Sequence, residues 1–529
     1  MNTMPKVALK PGDRLDAFVV RSVTPIDELR AIAVVLEHPG CGATLLHLVQ
    51  NDAENLFSVT FKTPPSDDTG VPHILEHAVL AGSAKYPVRD PFFEMLKRSM
   101  ATYLNAFTMW DATSYPVASN VKQDLFNLAD VYFDAVFHPK LTEETFAREG
   151  HHLAPVDPAD PTGALRVTGI VYNEMKGAFS NPEARLQRVA RRTLFGDTIY
   201  GHESGGDPDA IPDLTWADLR AFHERYYHPS NALFFVYGDI PTSEWTAFLT
   251  ARLAGFKPRP ADVEIKPQPL WREPRRLDES YAVGAGESLA EKTYLSLRWI
   301  VGDSTDPGEI TDWRVLSTIL LGNEAAPLKR ALIASKLGQD LFASGLDANA
   351  LQSGFGVGLK GSEANRAEAF ERLVLDCLRD LAGQTFSPER VEAAYQQAAY
   401  FYLEILPSYP LYMLFRVLGT WVHNRDPLAY LPMREHLAAS KARYAADPRR
   451  FNRMIAEHLV ENPHRLLTVM QPDPDWQTRA DARFAEHMQR VRAALSDEEA
   501  KHISEAAAEL DRRSSTPDPP ELLATLPVL

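Results

Sequence analysis

Residues 70–82, GVPHILEHAVLAG, set the tightest condition on how this chain can fold. His73, Glu76 and His77 stand among Val71, Ile74, Leu75, Ala78, Val79 and Leu80. A helix accommodates the apolar spacing, but an amphipathic helix rarely chooses such a trio for its exposed stripe. Pro72 suits the first turn of that helix and Gly82 its C-cap. At about 100° per residue, the three polar side chains fall on one arc of the helix surface.

Histidines at i and i+4 can bind one metal ion from the same face. A glutamate at i+3 lies beside them without having to be a ligand. The pattern is H-x-x-E-H, the inverted form of the zincin motif. Zinc suits it, because imidazole nitrogens are good ligands and a catalytic zinc keeps three protein ligands plus water. The alternative is a chance trio on a solvated face, and the apolar surroundings argue against that. A third ligand must come from a different element. GIVYNEMKGAF, residues 169–179, offers Glu174 inside an apolar helical run. Glu174 could equally be a surface carboxylate paired with Lys176, and spacing alone does not select it over other carboxylates.

The 529 residues suit two or more domains with separate cores. AIAVVLEHP, ATLLHLVQN and NLFSVTFKT read as strands. After the HILEH helix, ATYLNAFTMWDATSYPVAS is β-rich. Residues 121–137 and 165–194 read as helical, and a helix from Thr215 to Tyr226 leads into the strand NALFFVYGD. Residues 255–276 hold five prolines and suit an extended linker. A second α/β stretch follows, with strand-like KTYLSLRWIV, helix-like WRVLSTILLG and a long helical region from Ser387 to Leu406. Segments 476–495 and 497–513 form a helical hairpin, with Ser496 and Glu499 as a capping box between them. The expected division is an α+β domain over 1–260 bearing the metal motif, a second over 261–475 without it, the hairpin over 476–513 and an extended tail over 514–529. No internal repeat is evident in the sequence.

The formal charge of −16 argues against a nucleic-acid partner, which needs a basic footprint. Cys41 and Cys377 lie in apolar contexts and read as buried free thiols, which fits a reducing compartment. The N-terminus has no apolar core of a secretory signal. No run reaches a membrane span; the best candidate, YPLYMLFRVLGTWV, is short and broken by Arg416. The expected setting is therefore a bacterial-type cytoplasm, with an organelle matrix as the alternative. HERYYH spaces His223 and His228 five apart and reads as a helix end with exposed histidines. His151 and His152 have no obvious ligand partners. GFGVGLKG fits a dinucleotide loop superficially, but Gly354, Gly356 and Gly358 alternate as on one face of a strand.

TGVPHILEHAVLAGSAKYPVRDPFFEMLKRS, YLNAFT, VYNEMKGAFS and YYHPSNA together resemble the pitrilysin/insulysin family of inverzincin metallopeptidases, and within it the presequence proteases. The resemblance is dense from Asn55 to Asp239 and thinner to the end. It implies an α+β fold of two related domains, each a mainly antiparallel sheet covered by helices. It implies one Zn2+ per chain on His73, His77 and Glu174, with Glu76 as general base. It implies that an edge strand around Asn105, Ala106 and Phe107 holds an extended peptide by main-chain hydrogen bonds. Members of this branch are similar to two such halves joined by the hairpin, the second half supplying an arginine and a tyrosine to the zinc site. This chain carries the first half and the hairpin. The expectation is a peptidase acting on unstructured peptides together with a second-half chain or by self-association. The competing expectation is a non-catalytic binding or scaffold subunit, although such subunits usually lack the metal motif that is intact here.

Overall fold

The computed structural model describes residues 4–260, 263–405 and 407–529. Ala261 and Asp262, at the expected domain boundary, and Leu406, at the expected end of the helix from Ser387, lie outside the described residues, as do residues 1–3.

The first half opens with β1 (Arg14–Leu15), β2 (Phe18–Ile26), β3 (Ala31–His38), β4 (Ala43–Val49) and β5 (Asn55–Lys62). Helices α1 (Val71–Val79) and α2 (Pro91–Arg98) follow, then β6 (Ala101–Leu104), β7 (Phe107–Thr108) and β8 (Ala112–Ser119). Next come α3 (Lys122–Phe137), α4 (Glu143–Glu149), the small pair β9 (His152–Pro155) and β10 (Leu165–Thr168), and α5 (Ile170–Ala178). The half closes with α6 (Pro182–Leu194), α7 (Trp216–Tyr226), β11 (Ala232–Gly238) and α8 (Thr242–Leu253). Its sheet runs β1-β2-β3-β4-β11-β5-β8-β6, with β7 also on β8. Only the β4–β11 pairing is parallel. The broken strand β6–β7 forms the far edge.

The second half contains β12 (Arg275–Ala282), β13 (Thr293–Asp303), α9 (Pro307–Leu321), α10 (Pro327–Ser335), β14 (Asp340–Asp347) and β15 (Gln352–Ser362). Helices α11 (Ala367–Gly383), α12 (Pro388–Leu403), α13 (Tyr409–Trp421), α14 (Met433–Ala446) and α15 (Arg450–Ile455) lead to β16 (Arg465–Asp473). The sheet order is β12-β16-β13-β15-β14. This is the order β4-β11-β5-β8-β6 over again, with the last strand inserted parallel to the first and antiparallel to the second. The structure therefore contains a repeat of topology that the sequence does not display.

Strands β5, β8 and β11 are buried along their whole length, which requires cover on both faces. On one face Phe57, Val59 and Phe61 pack with Leu75 and Leu128 of α1 and α3. On the other, Leu46, Leu48 and Phe235 pack with Met413 and Val417 of α13, from the second half. In return, α6 of the first half lies against β12, β13 and β16. The apolar run at 409–422 is thus a helix shared between two cores. Among the described residues no helix is long and apolar enough to cross a membrane.

Several expectations are corrected. Residues 165–168 form strand β10, and the helical run after them breaks at Asn181, whose side chain caps α6. Helix α1 ends at Val79 with Leu80 in the cap position, so Gly82 lies beyond the cap. The linker is extended but not loose: Ile265, Gln268 and Trp271 are buried, and Trp271 stacks on His464 at 4.0 Å. The hairpin is α16 (Trp476–Ala493) and α17 (Asp497–Ser515), with the capping box formed. The tail is not simply extended: Pro520 starts the one-turn helix α18 (Pro520–Leu523), and Leu526 is buried in the first core. Cys41 is buried, whereas Cys377 is only half-buried; both are free thiols. His223 is half-buried with Nε2 against the Val136 carbonyl at 2.9 Å, not an exposed helix-end residue. GFGVGLKG lies within β15, where a Cβ on Gly358 would meet the Phe342 carbonyl at 2.9 Å.

Candidate metal centre

Helix α1 begins where the chain turns sharply at Gly70. Its φ of +70° is the left-handed region, and a Cβ there would stand 2.5 Å from the Gly206 Cα. Glycine is the residue that permits both. The close approach sets the Gly205 carbonyl 3.1 Å from His73 Nδ1. Val71, Ile74, Leu75, Ala78 and Val79 of α1 point into the core, leaving His73 and His77 half-buried and Glu76 buried.

Glu174 comes from α5. The helix starts at Gly169, where a Cβ would meet the Gly150 carbonyl at 2.2 Å. That contact locks the start of α5 to the end of α4. Glu174 Oε1 then lies 3.8 Å from His73 Nε2, and Oε2 lies 3.8 Å from His77 Nε2. One donor atom from each of the three residues falls within 4.8 Å of the others. A 3.8 Å separation is too long for a hydrogen bond. A tetrahedral zinc with bonds of about 2.0–2.1 Å needs donors about 3.3 Å apart. The gap closes by a few tenths of an ångström, and Glu174, with half its side chain exposed, is free to make that movement.

The surroundings fit a cation. With its proton on Nδ1, His73 donates to Gly205 and turns a lone pair at Nε2 toward Glu174. His77 Nδ1 lies 3.4 Å from Glu149 Oε2, which orients its ring in the same way. Burial alone would lower the proton affinity of His77. The Glu149 contact and the charges of Glu76, Glu149 and Glu174 outweigh it and raise that affinity. Glu149 is itself held by Arg148 at 2.8 Å. Three carboxylates thus gather around two imidazoles, with Arg148 the guanidinium in ion-pair contact among the described residues. This donor set suits a divalent ion of zinc type.

Glu76 Oε2 accepts a hydrogen bond of 2.5 Å from the Thr108 hydroxyl. Thr108 ends the edge strand, so the glutamate is tied to that edge. Asn105 and Ala106 sit in the break between β6 and β7. The Ala106 N–H donates to Asn105 Oδ1 at 2.9 Å, and the Asn105 carbonyl accepts from the Tyr132 hydroxyl. Phe107 packs edge-on against Phe415 of α13 at 5.5 Å. Sequence reasoning found the helical trio and Glu174 but missed Thr108, Arg148 and Glu149. No spacing signals those three, because each acts through a neighbour distant in the chain.

Comparison with known proteins gives three family matches. "Insulinase (Peptidase family M16)" covers residues 63–156 and "Peptidase M16 inactive domain" covers 213–398. The associated region of subfamily C of the same peptidase family covers 470–529. The chain is 38% identical over 514 residues to "Presequence protease 1, chloroplastic/mitochondrial" of Arabidopsis thaliana, spanning 95% of this chain and 47% of that one. It is 36% identical over 521 residues to "Presequence protease, mitochondrial" of Xenopus laevis, spanning 98% of this chain and 51% of the relative. The chain thus spans about half the length of these curated relatives. Its fold is similar to the first half of the periplasmic protease PqqL from Escherichia coli, with a TM-score of 0.61 at 16% identity, covering 94% of this chain and 100% of that one.

Proposed function

Because the chain belongs to the insulinase family, peptidase family M16, we propose that it is the metal-bearing part of a zinc endopeptidase that cleaves unstructured peptides. The observation that carries this reading is the convergence of His73, His77 and Glu174, with each imidazole Nδ1 turned to an acceptor. His73, His77 and Glu174 would hold one zinc ion. A bound zinc supplies Lewis-acid activation of a water and of the scissile carbonyl.

The remaining chemistry belongs to the chain. Glu76 takes the proton of the attacking water and passes it to the leaving amine. Thr108 holds one oxygen of Glu76 and so leaves the other for that proton. The β6–β7 edge aligns an extended peptide by main-chain pairing, with its strand close to the base. Full activity requires the complementary half that the relatives carry in their additional length, in one longer chain, in a partner chain or, less favourably, in a second copy. The half-exposed Glu174 supports this, since an open site positions substrate poorly and positioning is worth several kcal/mol. A binding or scaffold role is favoured for the second half only: the "inactive domain" match covers 213–398, away from the donor set.

Elemental analysis and peptide turnover test the reading. The wild-type chain should hold one zinc, and His77→Ala and Glu174→Ala should lose it while remaining folded. Retention of zinc by Glu174→Ala would remove Glu174 from the site. High turnover by a strictly monomeric chain of this length would dismiss the need for a complement.

A further inference from the structure

A continuous run of polar contacts leads from the segment after the hairpin to His77. The Thr516 carbonyl accepts from Arg89 Nη2 at 2.5 Å, and Asp518 Oδ2 accepts from the Arg89 backbone N–H at 3.0 Å. The Arg89 carbonyl accepts from Arg148 Nη2 at 3.3 Å. The same Nη2 lies 3.0 Å from Asp90 Oδ1 and 2.8 Å from Glu149 Oε1, and Arg148 Nε adds a second bond of 2.8 Å to that oxygen. The other oxygen of Glu149 faces His77 Nδ1 at 3.4 Å. Arg148 and Glu149 are largely buried, with side chains 12% and 7% exposed. Residues 516–528 are fixed at both ends of α2: Arg98 Nη1 donates to the Leu523 carbonyl at 3.1 Å, and Leu526 is buried.

A guanidinium offers donors in a rigid fork, so the acceptors it joins are fixed relative to one another. Here the fork joins the 89–90 turn to Glu149. Thr516 and Asp518 hold that turn from outside. Displacing the turn would drag Arg148, release one anchor of Glu149 and let the His77 ring rotate about its own bond. Among the described residues this is the most direct run of polar contacts from 516–518 to the donor set.

We propose that Arg148 is a positioning residue through which segment 516–518 sets the orientation of His77. The segment matched as the subfamily's associated region is thereby coupled to the metal centre. The inference rests on the reading of His77 as a zinc ligand. A lysine cannot replace the arginine, because a point charge does not hold three acceptors in fixed geometry.

The test is zinc affinity of the full chain, measured by competition with a chromogenic chelator, beside the thermal midpoint. Arg148→Ala should weaken zinc binding about tenfold, the low end for losing an outer partner of a ligating histidine. Arg148→Lys should behave nearly the same, and Asp518→Ala should weaken binding about threefold because one of two anchors of the turn remains. The double variant Arg148→Ala with Asp518→Ala should bind no more weakly than Arg148→Ala alone, since both act through one path. A folded Arg148→Ala protein with wild-type zinc affinity, or additive losses in the double variant, overturns the proposal. Should Arg148→Ala fail to fold, unchanged affinity in Asp518→Ala overturns it equally. A wild-type chain that binds no zinc defeats the proposed function and this inference together; equal binding by wild type and variants defeats this inference alone.

Discussion

Helix α1 and helix α9 stand at the same point of two sheets with one strand order, each following the strand that neighbours the inserted one. Each presents polar groups inward, yet the two solve that problem in opposite ways. On α9, Asp312 is fully buried and is neutralised from within: Arg443 lies 3.0 Å away, Arg450 2.5 Å, and the Ser440 hydroxyl donates to it. On α1, His73, Glu76 and His77 face Glu149 and Glu174, and the guanidinium of Arg148 serves only Glu149. One half brings its own cations; the other leaves room for a cation from outside. The topology and packing are common to both, so chemistry on this fold is decided by a few side chains on one helix and by what faces them.

The largest expected effect separates the base from the ligands. Glu76→Gln keeps shape and hydrogen bonding to Thr108 but cannot accept a proton at neutral pH. It should retain zinc and lose at least about 10²-fold in peptide hydrolysis, within the range for removing a general base. Asp312→Asn, the matching change in the second half, should leave turnover per folded molecule untouched. Near-normal hydrolysis by Glu76→Gln would put the two helices on the same, non-catalytic footing.

The next effect is on stability and lies in the other half. Asp312→Ala removes the carboxylate from two guanidiniums. Breaking such a buried pair costs about 3–5 kcal/mol, and the lower figure applies here because Arg443 and Arg450 are about a third exposed and can be rehydrated. Urea unfolding should show the loss with zinc content unchanged. A loss of zinc on Asp312→Ala would mean that the halves are not energetically separable at their helices.

Acid offers a milder comparison. His47 of the first half and His464 of the second are buried and held neutral, with proton affinities lowered to about 3 and about 4. Desolvation is the main cause in both. Each lies below its unfolded value, so the stability it contributes is present above about pH 6.5 and is lost as pH falls through the folded values. The slope is about 1.4 kcal/mol per pH unit for each histidine. Zinc should leave earlier than either half unfolds, because the proton affinity of His77 is raised and its neutral ring is the ligand. Zinc release and near-ultraviolet dichroism, followed together from pH 7.5 to 5, decide the order. Unfolding that precedes zinc release would reverse it.

Much of this was legible in the sequence because it is local. Strands β3, β4, β5 and β11, helix α7 with its Thr215 cap, and the hairpin with its Ser496–Glu499 box all follow from residue pattern and capping chemistry. The histidines and glutamate of α1 were legible because helical geometry alone groups them. Glu174 was not, since its place depends on Gly169 meeting Gly150 across a strand pair; family resemblance singled it out. The repeat was hidden because a sheet order needs apolar periodicity and not like residues: β5 and β13 bury their faces with different side chains. The 165–194 stretch misled because its first four residues are apolar and polar in alternation as well as helix-compatible, and pairing with β9 decides for strand. The tail misled because Leu526 has no period of its own and is buried only by the first core.

Thr108 gives the smallest effect and the finest discrimination between the halves. In the second half, Asp312 is held by α14 and α15, away from the edge strand β14. In the first, the base is held by the edge strand itself, through one hydroxyl. If a peptide pairs with that edge, the Thr108 bond fixes the height of Glu76 relative to the scissile carbonyl. Thr108→Val keeps the branched shape and the β preference but removes the donor. A typical hydrogen bond is worth about 0.5–1.5 kcal/mol net, which predicts a fall in kcat of about three- to tenfold. KM and zinc content should hold steady, since neither peptide pairing nor the ligands are touched. Thr108→Ser should restore kcat, because it returns the hydroxyl without the methyl. A change in KM alone, or a Thr108→Ser variant as slow as Thr108→Val, would mean that the threonine packs the strand and does not position the base. The edge would then be as passive in the first half as it is in the second.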